Sequence, residues 1–248
     1  MKIKITIATL LFCVNAFANP IDDNCPQFTP YGAPVSPQVE ADVQYLCKLN
    51  YALQYSNDTK TAIYVLEHVT KESITGASKR KDDFRADPSI PKQHQSLLSD
   101  YARQPYDRGH LSPAGNNTQT AAVMSESFFL SNMVPQNQNN NRGIWKQLET
   151  KVRDYVLRTG DVYVVSGPIY DKTFKTIGTN KVGVPDRLYK VIIDAKNKKA
   201  SAYIFPNTAL PVQDLPKYQV SISEVEMATG INFNPKLDDI SLEKLKNW

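Results

Sequence analysis

Among 248 residues there are only three histidines, so the surroundings of each are informative. His110 ends the string Asp107-Arg108-Gly109-His110, in which a carboxylate, a permanent cation, a flexible glycine and a base that titrates near neutrality are consecutive. His68 lies in an apolar, strand-like run and His94 in the polar stretch PKQHQS, so packing and solvent contact account for them. Downstream, Asn141, Glu149 and Arg153 fall on a predicted helix, with Trp145 at the same spacing of four. Successive members rotate by about 40° around the axis, so Glu149 and Arg153 are neighbours on one flank. Asn141 and Glu149 are about 12 Å apart along the axis of a regular helix. That is too far for both to grip one small ion. It suits an amide oxygen on a metal and a carboxylate that reaches the metal through coordinated water. Taken alone, the same residues describe an ordinary amphipathic helix with an i, i+4 salt bridge.

The residue types narrow the chemistry. A neutral imidazole takes a proton from water near pH 7. Magnesium prefers oxygen ligands, keeps most of its water and often binds through one or two protein groups plus a phosphate. No His/Cys/Glu cluster has zinc spacing, so an asparagine-held, largely hydrated hard cation is the expected metal site. Arginines hold phosphate oxygens bidentately and stabilise charge that gathers in a transition state. Together these parts point to phosphodiester hydrolysis.

Several elements must position these groups. Residues 61–69 (TAIYVLEHV) have the β-branched and aromatic make-up of a strand. Residues 106–117 (YDRGHLSPAGNN) read as a polar, loop-like segment, and 132–141 (NMVPQNQNNN) cannot be helical through Pro135. Ile144, Trp145, Leu148, Val152, Tyr155 and Val156 form an apolar stripe that predicts a helix over 143–158, with Gly160 as its stop. Residues 161–166 are a buried strand, and 188–194 and 201–205 are paired strands around the 196–199 turn. Residues 221–229 are a short helix with a Ser cap, closed by Gly230.

Composition sets the class: 41% hydrophobic and 22% charged residues, with three cysteines, exclude collagen-like, disulfide-dense and wholly disordered chains. A net charge of +4 is too mild for a bulk polycation, so any nucleic-acid contact must come from a local patch. Residues 1–18 read as a signal peptide, with Lys2 and Lys4, an apolar run and Ala16-Phe17-Ala18 before the cut, which predicts a secreted or periplasmic protein without a membrane anchor. Loss of Cys13 with that leader leaves Cys25 and Cys47 as one pair in an oxidising compartment. Their disulfide would close a loop of about 20 residues and contribute roughly 3 kcal/mol. The expected layout is a leader over 1–18, an irregular lead-in over 19–44 and one mixed α/β domain over 45–248.

The strings Asp107-Arg108-Gly109-His110-Leu111-Ser112-Pro113, Asn132-Met133-Val134-Pro135-Gln136 and Asn141-Arg142-Gly143-Ile144-Trp145 with Glu149 resemble the DNA/RNA non-specific endonuclease family, which includes endonuclease G and secreted bacterial nucleases. Weaker echoes extend the likeness over residues 45–235. The resemblance implies the ββα-metal fold, in which a central antiparallel sheet is flanked by helices. It implies His110 as general base, Asn141 as the only direct protein ligand of Mg²⁺ (Mn²⁺ being the alternative), and Glu149 as holder of the metal's water shell. Arg108 and Arg153 would stabilise the pentacovalent phosphate, and Asp107 and Asn132 would support the site. DNA and RNA are the implied substrates, with 5′-phosphate products. Lys79, Arg80 and Lys81 are the groove-binding candidates, and the basic 196–199 turn fits solvated surface better. Asn116 departs from the family pattern, which often has Asp there. The rival readings are a catalytically silent nucleic-acid-binding protein on the same fold and a surface protein with a coincidental motif. The sequence names no inhibitor or oligomeric partner.

Overall fold

A strand that is apolar at nearly every position needs cover on both faces, and the central strands of this chain receive it. The computed structural model describes residues 19–36, 42–233 and 243–244. The strands are β1 (Val43–Cys47), β2 (Ala52–Ser56), β3 (Thr61–Thr70), β4 (Tyr106–His110), β5 (Met133–Asn137), β6 (Asp161–Ile169), β7 (Lys175–Ile177), β8 (Val182–Val184), β9 (Arg187–Asp194), β10 (Lys199–Pro206), β11 (Gln219–Val220) and β12 (Glu243–Lys244). The main sheet runs in the order β1-β2-β3-β6-β9-β10-β11, antiparallel throughout, with β12 added parallel to β10. β4–β5 and β7–β8 form two small antiparallel pairs. This is the mixed α/β architecture with a large antiparallel sheet and helices that the sequence predicts.

Alternation along the strands sends side chains to two cores. On one face Val65, Val69, Val164, Leu188, Ile192 and Phe205 pack against Ile144, Trp145, Leu148, Val152, Tyr155 and Val156, the predicted apolar stripe. On the other, Tyr64, Leu66, Val165, Tyr189 and Val191 meet Val225, Ile231 and Phe233 from the helix Ile222–Thr229 and its C-terminal segment. Ile21, Cys25 and Phe28 join that second face, and Cys25 forms a disulfide with Cys47 of β1 across 22 residues. Residues 20–28 are therefore packed, with a turn of helix at Pro20–Asn24 and a 3-10 turn at Pro26–Phe28. The leader predicted at 1–18 lies outside the described residues.

Two local expectations need correction. Tyr106–His110 is a strand rather than loop, because it pairs residue for residue with Met133–Asn137, from Tyr106 opposite Asn137 to His110 opposite Met133. The following helix is not regular from its start. Asn137 caps it by accepting from the amides of Asn139 and Asn140 (3.0 and 3.2 Å), and after Gln138–Asn140 the chain widens into a π-turn over Asn141–Trp145, where Gly143 leaves helical geometry (φ −105°, ψ −105°). The α-helix then runs over Lys146–Thr159 and stops at Gly160, whose φ of +117° favours glycine. The regular spacing assumed between Asn141 and Glu149 does not hold. Such π-turns often sit at functional sites.

Candidate active site

Strands β4 and β5 and the helix that follows form a ββα unit with the charged string on its first strand. Glycine at 109 is a packing requirement. A Cβ there would lie 2.1 Å from Oε1 of Gln136 and 2.7 Å from its Cβ, so any larger residue must displace that side chain. Gln136 in turn donates to Asn140 (2.9 Å), and Asn140 donates to the carbonyls of Pro206 and Thr208 (2.9 and 3.2 Å). The amide-rich segment thereby latches the unit to the end of β10.

His110 is buried at the end of β4, its ring against Phe84 and edge-on to Phe128, at centroid distances of 5.6 and 5.1 Å. The Trp145 indole N–H donates to its carbonyl at 3.2 Å, which ties the strand end to the helix. Nε2 is buried and has no hydrogen-bond partner. Burial above all, with the cations of Arg80 and Arg108, pushes the imidazole down to a pKa of about 3. It is therefore a neutral base at physiological pH. Asn132 is fully buried and holds the chain just beyond: it accepts from the Ser112 amide (2.8 Å) and donates to the carbonyls of Ser112 and Ser127 (2.8 and 2.9 Å).

Asp107 accepts two hydrogen bonds from the Arg142 guanidinium (2.8 and 2.7 Å) and one from Nδ2 of Asn141 (2.9 Å). Burial raises this carboxyl, but the bonds from Arg142 and Asn141 outweigh it and hold its pKa below the usual carboxylate range. Because Asp107 takes the amide N–H of Asn141, the oxygen of that side chain is the end left to accept or to ligate. Among the described residues no group of three or more His, Cys, Asp or Glu side chains could cage a metal. The oriented amide oxygen would suit a hard, mostly hydrated cation and not a soft, fully protein-caged one.

Arg80, Tyr101, Tyr106, Asp107, Arg108, Asn141 and Arg142 line one cleft of about 310 Å³. Arg108 stacks its guanidinium 4.2 Å over Phe84, the ring that also touches His110, and its Nε is buried without a partner. Arg80 lies 5.0 Å over Phe128 and pairs with Asp82 (2.7 Å). Lys79 and Lys81 are exposed beside it and do not line the cleft. Glu149 and Arg153 lie one and two turns along the helix from Trp145, half-buried. Arg153 donates to Asn116 Oδ1 (3.3 Å) and to Thr150 (3.2 Å). Burial raises the Glu149 carboxyl against the opposing pull of Lys190 and Arg153. Asp107, Arg108 and Asn141 thus share a cleft with Arg80, whereas His110, Glu149 and Arg153 are not among its lining, and His110 is linked to it through Phe84, the ring on which Arg108 stacks. Cys25 and Cys47 belong to the opposite side of the sheet.

Two buried charges not among the predicted site residues lie beneath this site, Glu67 on β3 and Lys190 on β9, each 1% exposed. Glu67 accepts from Ser112 (2.8 Å) and Asn116 (3.1 Å), and burial above all pushes its carboxyl up to a pKa of about 7. The signal for both is a single charge inside an otherwise apolar strand, TAIYVLEHV and LYKVIID.

A family model described as DNA/RNA non-specific endonuclease matches residues 32–240. The mitochondrial nuclease EXOG of Mus musculus is 38% identical over 207 residues, which cover 76% of this chain and 56% of that one. Nuclease C1 of Cunninghamella echinulata var. echinulata is 34% identical over 219 residues (81% and 86%), and human mitochondrial endonuclease G is 31% identical over 228 (85% and 74%). A crystal structure of the EndoG/EndoGI complex superposes with a TM-score of 0.79 at 32% identity, covering 88% of this chain and 94% of that one. The chain spans little more than half the length of the EXOG relative. The expectation of a secreted or periplasmic protein is corrected by these relatives, because EXOG and endonuclease G are mitochondrial by name.

Proposed function

The chain belongs to the DNA/RNA non-specific endonuclease family, and from that premise we propose that it is a metal-dependent nuclease that hydrolyses internal phosphodiester bonds of DNA and RNA. The observation that carries the reading is His110, whose buried Nε2 has no hydrogen-bond partner and whose ring meets Phe84, the same ring on which Arg108 of the cleft stacks.

In this mechanism His110 Nε2 removes a proton from water, and the resulting hydroxide attacks phosphorus in line. Burial keeps the imidazole unprotonated, and the Trp145 and Asn132 hydrogen bonds fix the strand end that carries it. Asn141 would hold Mg²⁺ or Mn²⁺ through Oδ1, with Asp107 and Arg142 fixing the amide's orientation and Glu149 accepting from coordinated water. A cation held there would supply Lewis-acid neutralisation of the charge that builds on the phosphate. Arg108 and Arg153 bind phosphate oxygens and offset the added negative charge of the transition state. Arg80, Lys79 and Lys81 extend the positive surface along the backbone of the substrate. Since water rather than a ribose 2′-hydroxyl attacks, both DNA and RNA are admissible, and the products carry 5′-phosphates.

The test is digestion of supercoiled plasmid and of a folded RNA with MgCl₂ or with EDTA, followed by end analysis of the fragments. Cleavage of both polymers to 5′-phosphate ends, abolished by EDTA, is expected. Intact plasmid and RNA in the presence of Mg²⁺ or Mn²⁺ would overturn the proposal.

A further inference from the structure

Two side chains of the proposed site carry a buried nitrogen that nothing binds: Nε2 of His110 and Nε of Arg108. A catalytic base is normally turned to its task by a hydrogen bond to a third group. At these two atoms no such bond exists among the described residues. What the two side chains share is the half-buried ring of Phe84. The Arg108 guanidinium lies 4.2 Å over its centroid, and the His110 ring is 5.6 Å from it at a tilt of 59°.

The chain on either side of Phe84 is pinned. The Arg85 amide donates to the Phe128 carbonyl (3.3 Å) and its carbonyl accepts from the Leu130 amide (2.8 Å), which makes a β-bridge to Phe129. The Arg85 guanidinium donates to the carbonyls of Asp83 and Ser125 (3.0 Å each) and lies 4.2 Å over the Phe129 ring. Phe84 itself stands edge-on to Phe128 at 4.9 Å, and Phe128 is edge-on to His110. A fixed backbone thus sets the ring, and the ring meets both functional groups. Its face carries partial negative charge and attracts a guanidinium, which an aliphatic side chain in the same space does not. We infer that Phe84 is a positioning residue: its ring holds the His110 imidazole and the Arg108 guanidinium in one arrangement, proton acceptor and phosphate-binding cation against the same phosphodiester. This rests on the proposed nuclease reading, which supplies both roles.

The test uses the full chain with Phe84→Leu and Phe84→Tyr, measuring thermal unfolding, Mn²⁺ binding by calorimetry with MnCl₂, and kcat and KM on a defined oligonucleotide duplex. The Leu variant is expected to unfold cooperatively and to keep its Mn²⁺ affinity, because Asp107 and not this ring orients the Asn141 amide. Its kcat is expected to fall about 10–100-fold, the cost of displacing a catalytic group by about 1 Å, and the Tyr variant, which restores the aromatic face, to recover most of that loss. A Leu variant that melts earlier but cleaves at the wild-type kcat would reduce Phe84 to packing and overturn the inference. A folded Tyr variant as slow as the Leu variant would do the same. In an Arg108→Ala background, Phe84→Leu is expected to cost a smaller factor than in the wild type, since side chains in contact do not act independently; an equal factor would contradict the shared arrangement. If the Leu variant does not fold, Phe84→Met, whose flexible side chain fills irregular space, replaces it in the same comparisons. A wild-type protein that cleaves nothing would instead sink the nuclease reading.

Discussion

At the scale of single residues, two buried groups push the pH dependence of stability in opposite directions. Burial holds the folded His110 imidazole down at a pKa of about 3, whereas in the unfolded chain it takes a proton near the ordinary value of 6.5. Between those values the unfolded state binds more protons, so stability falls as the pH drops through that window. Glu67 is displaced upward, from 4.5 to about 7. Between those values the folded state holds more protons, so its contribution is lost as the pH rises. Denaturant midpoints from pH 4.5 to 7.5 are expected to vary less steeply on the acid side in His110→Ala, and to rise relative to wild type toward pH 7 in Glu67→Gln. Parallel curves for all three proteins would contradict the assignment of these charges. Asn116 belongs to the same argument. It donates to Glu67 while accepting from Arg153, two roles that an ionised aspartate cannot combine. Asp107→Ala should leave the Asn141 amide unanchored and weaken Mn²⁺ binding measured by calorimetry, by the about 10–100-fold that loss of an orienting partner costs; undiminished affinity would show that the amide needs no anchor.

Elements differ in how plainly their residues announce them. β3, β6 and β9 were legible because β-branched and aromatic residues crowd a short run, and the helix Lys146–Thr159 because its apolar residues fall at helical spacing. β4 was not, since Asp-Arg-Gly-His contains no β-branched residue and becomes a strand only through pairing with β5. The π-turn at Asn141–Trp145 leaves no trace in the apolar stripe, which starts at Ile144 and continues unbroken. For the candidate site, His110 and Asn141 stood out by type and spacing. Lys190 and Glu67 were hidden because a lone charge in a strand gives no hint of which face it occupies. The close approach of β4 to β5 carries its own prediction. Gly109→Ala must displace Gln136 and so loosen the amide latch to β10. A loss of about 1–3 kcal/mol in stability is expected from such overpacking, together with lower activity. A variant as stable and active as the wild type in urea unfolding and plasmid cleavage would show that the strands can part without consequence.

Across the whole molecule, one sheet separates two jobs. Its first face carries the ββα unit, the cleft and the two buried charges, and its second is closed by the segment 20–28 and the helix Ile222–Thr229. The Cys25–Cys47 bond ties the second face only. Replacing both cysteines by serine should cost roughly 3 kcal/mol of stability while leaving the specific activity at 25 °C unchanged; a proportionate loss of activity would show that the two faces are coupled. The central claim belongs to the first face: a neutral His110 and an oxygen-held cation at Asn141 act on one phosphodiester. Single-turnover cleavage of a duplex oligonucleotide by His110→Ala, with folding and Mn²⁺ binding measured on the same preparation, tests this most directly. The account expects intact folding, Mn²⁺ affinity close to wild type and a rate lower by about 10²–10⁴-fold, the span of general-base catalysis. A folded, metal-binding His110→Ala protein that cuts at the wild-type rate would contradict it.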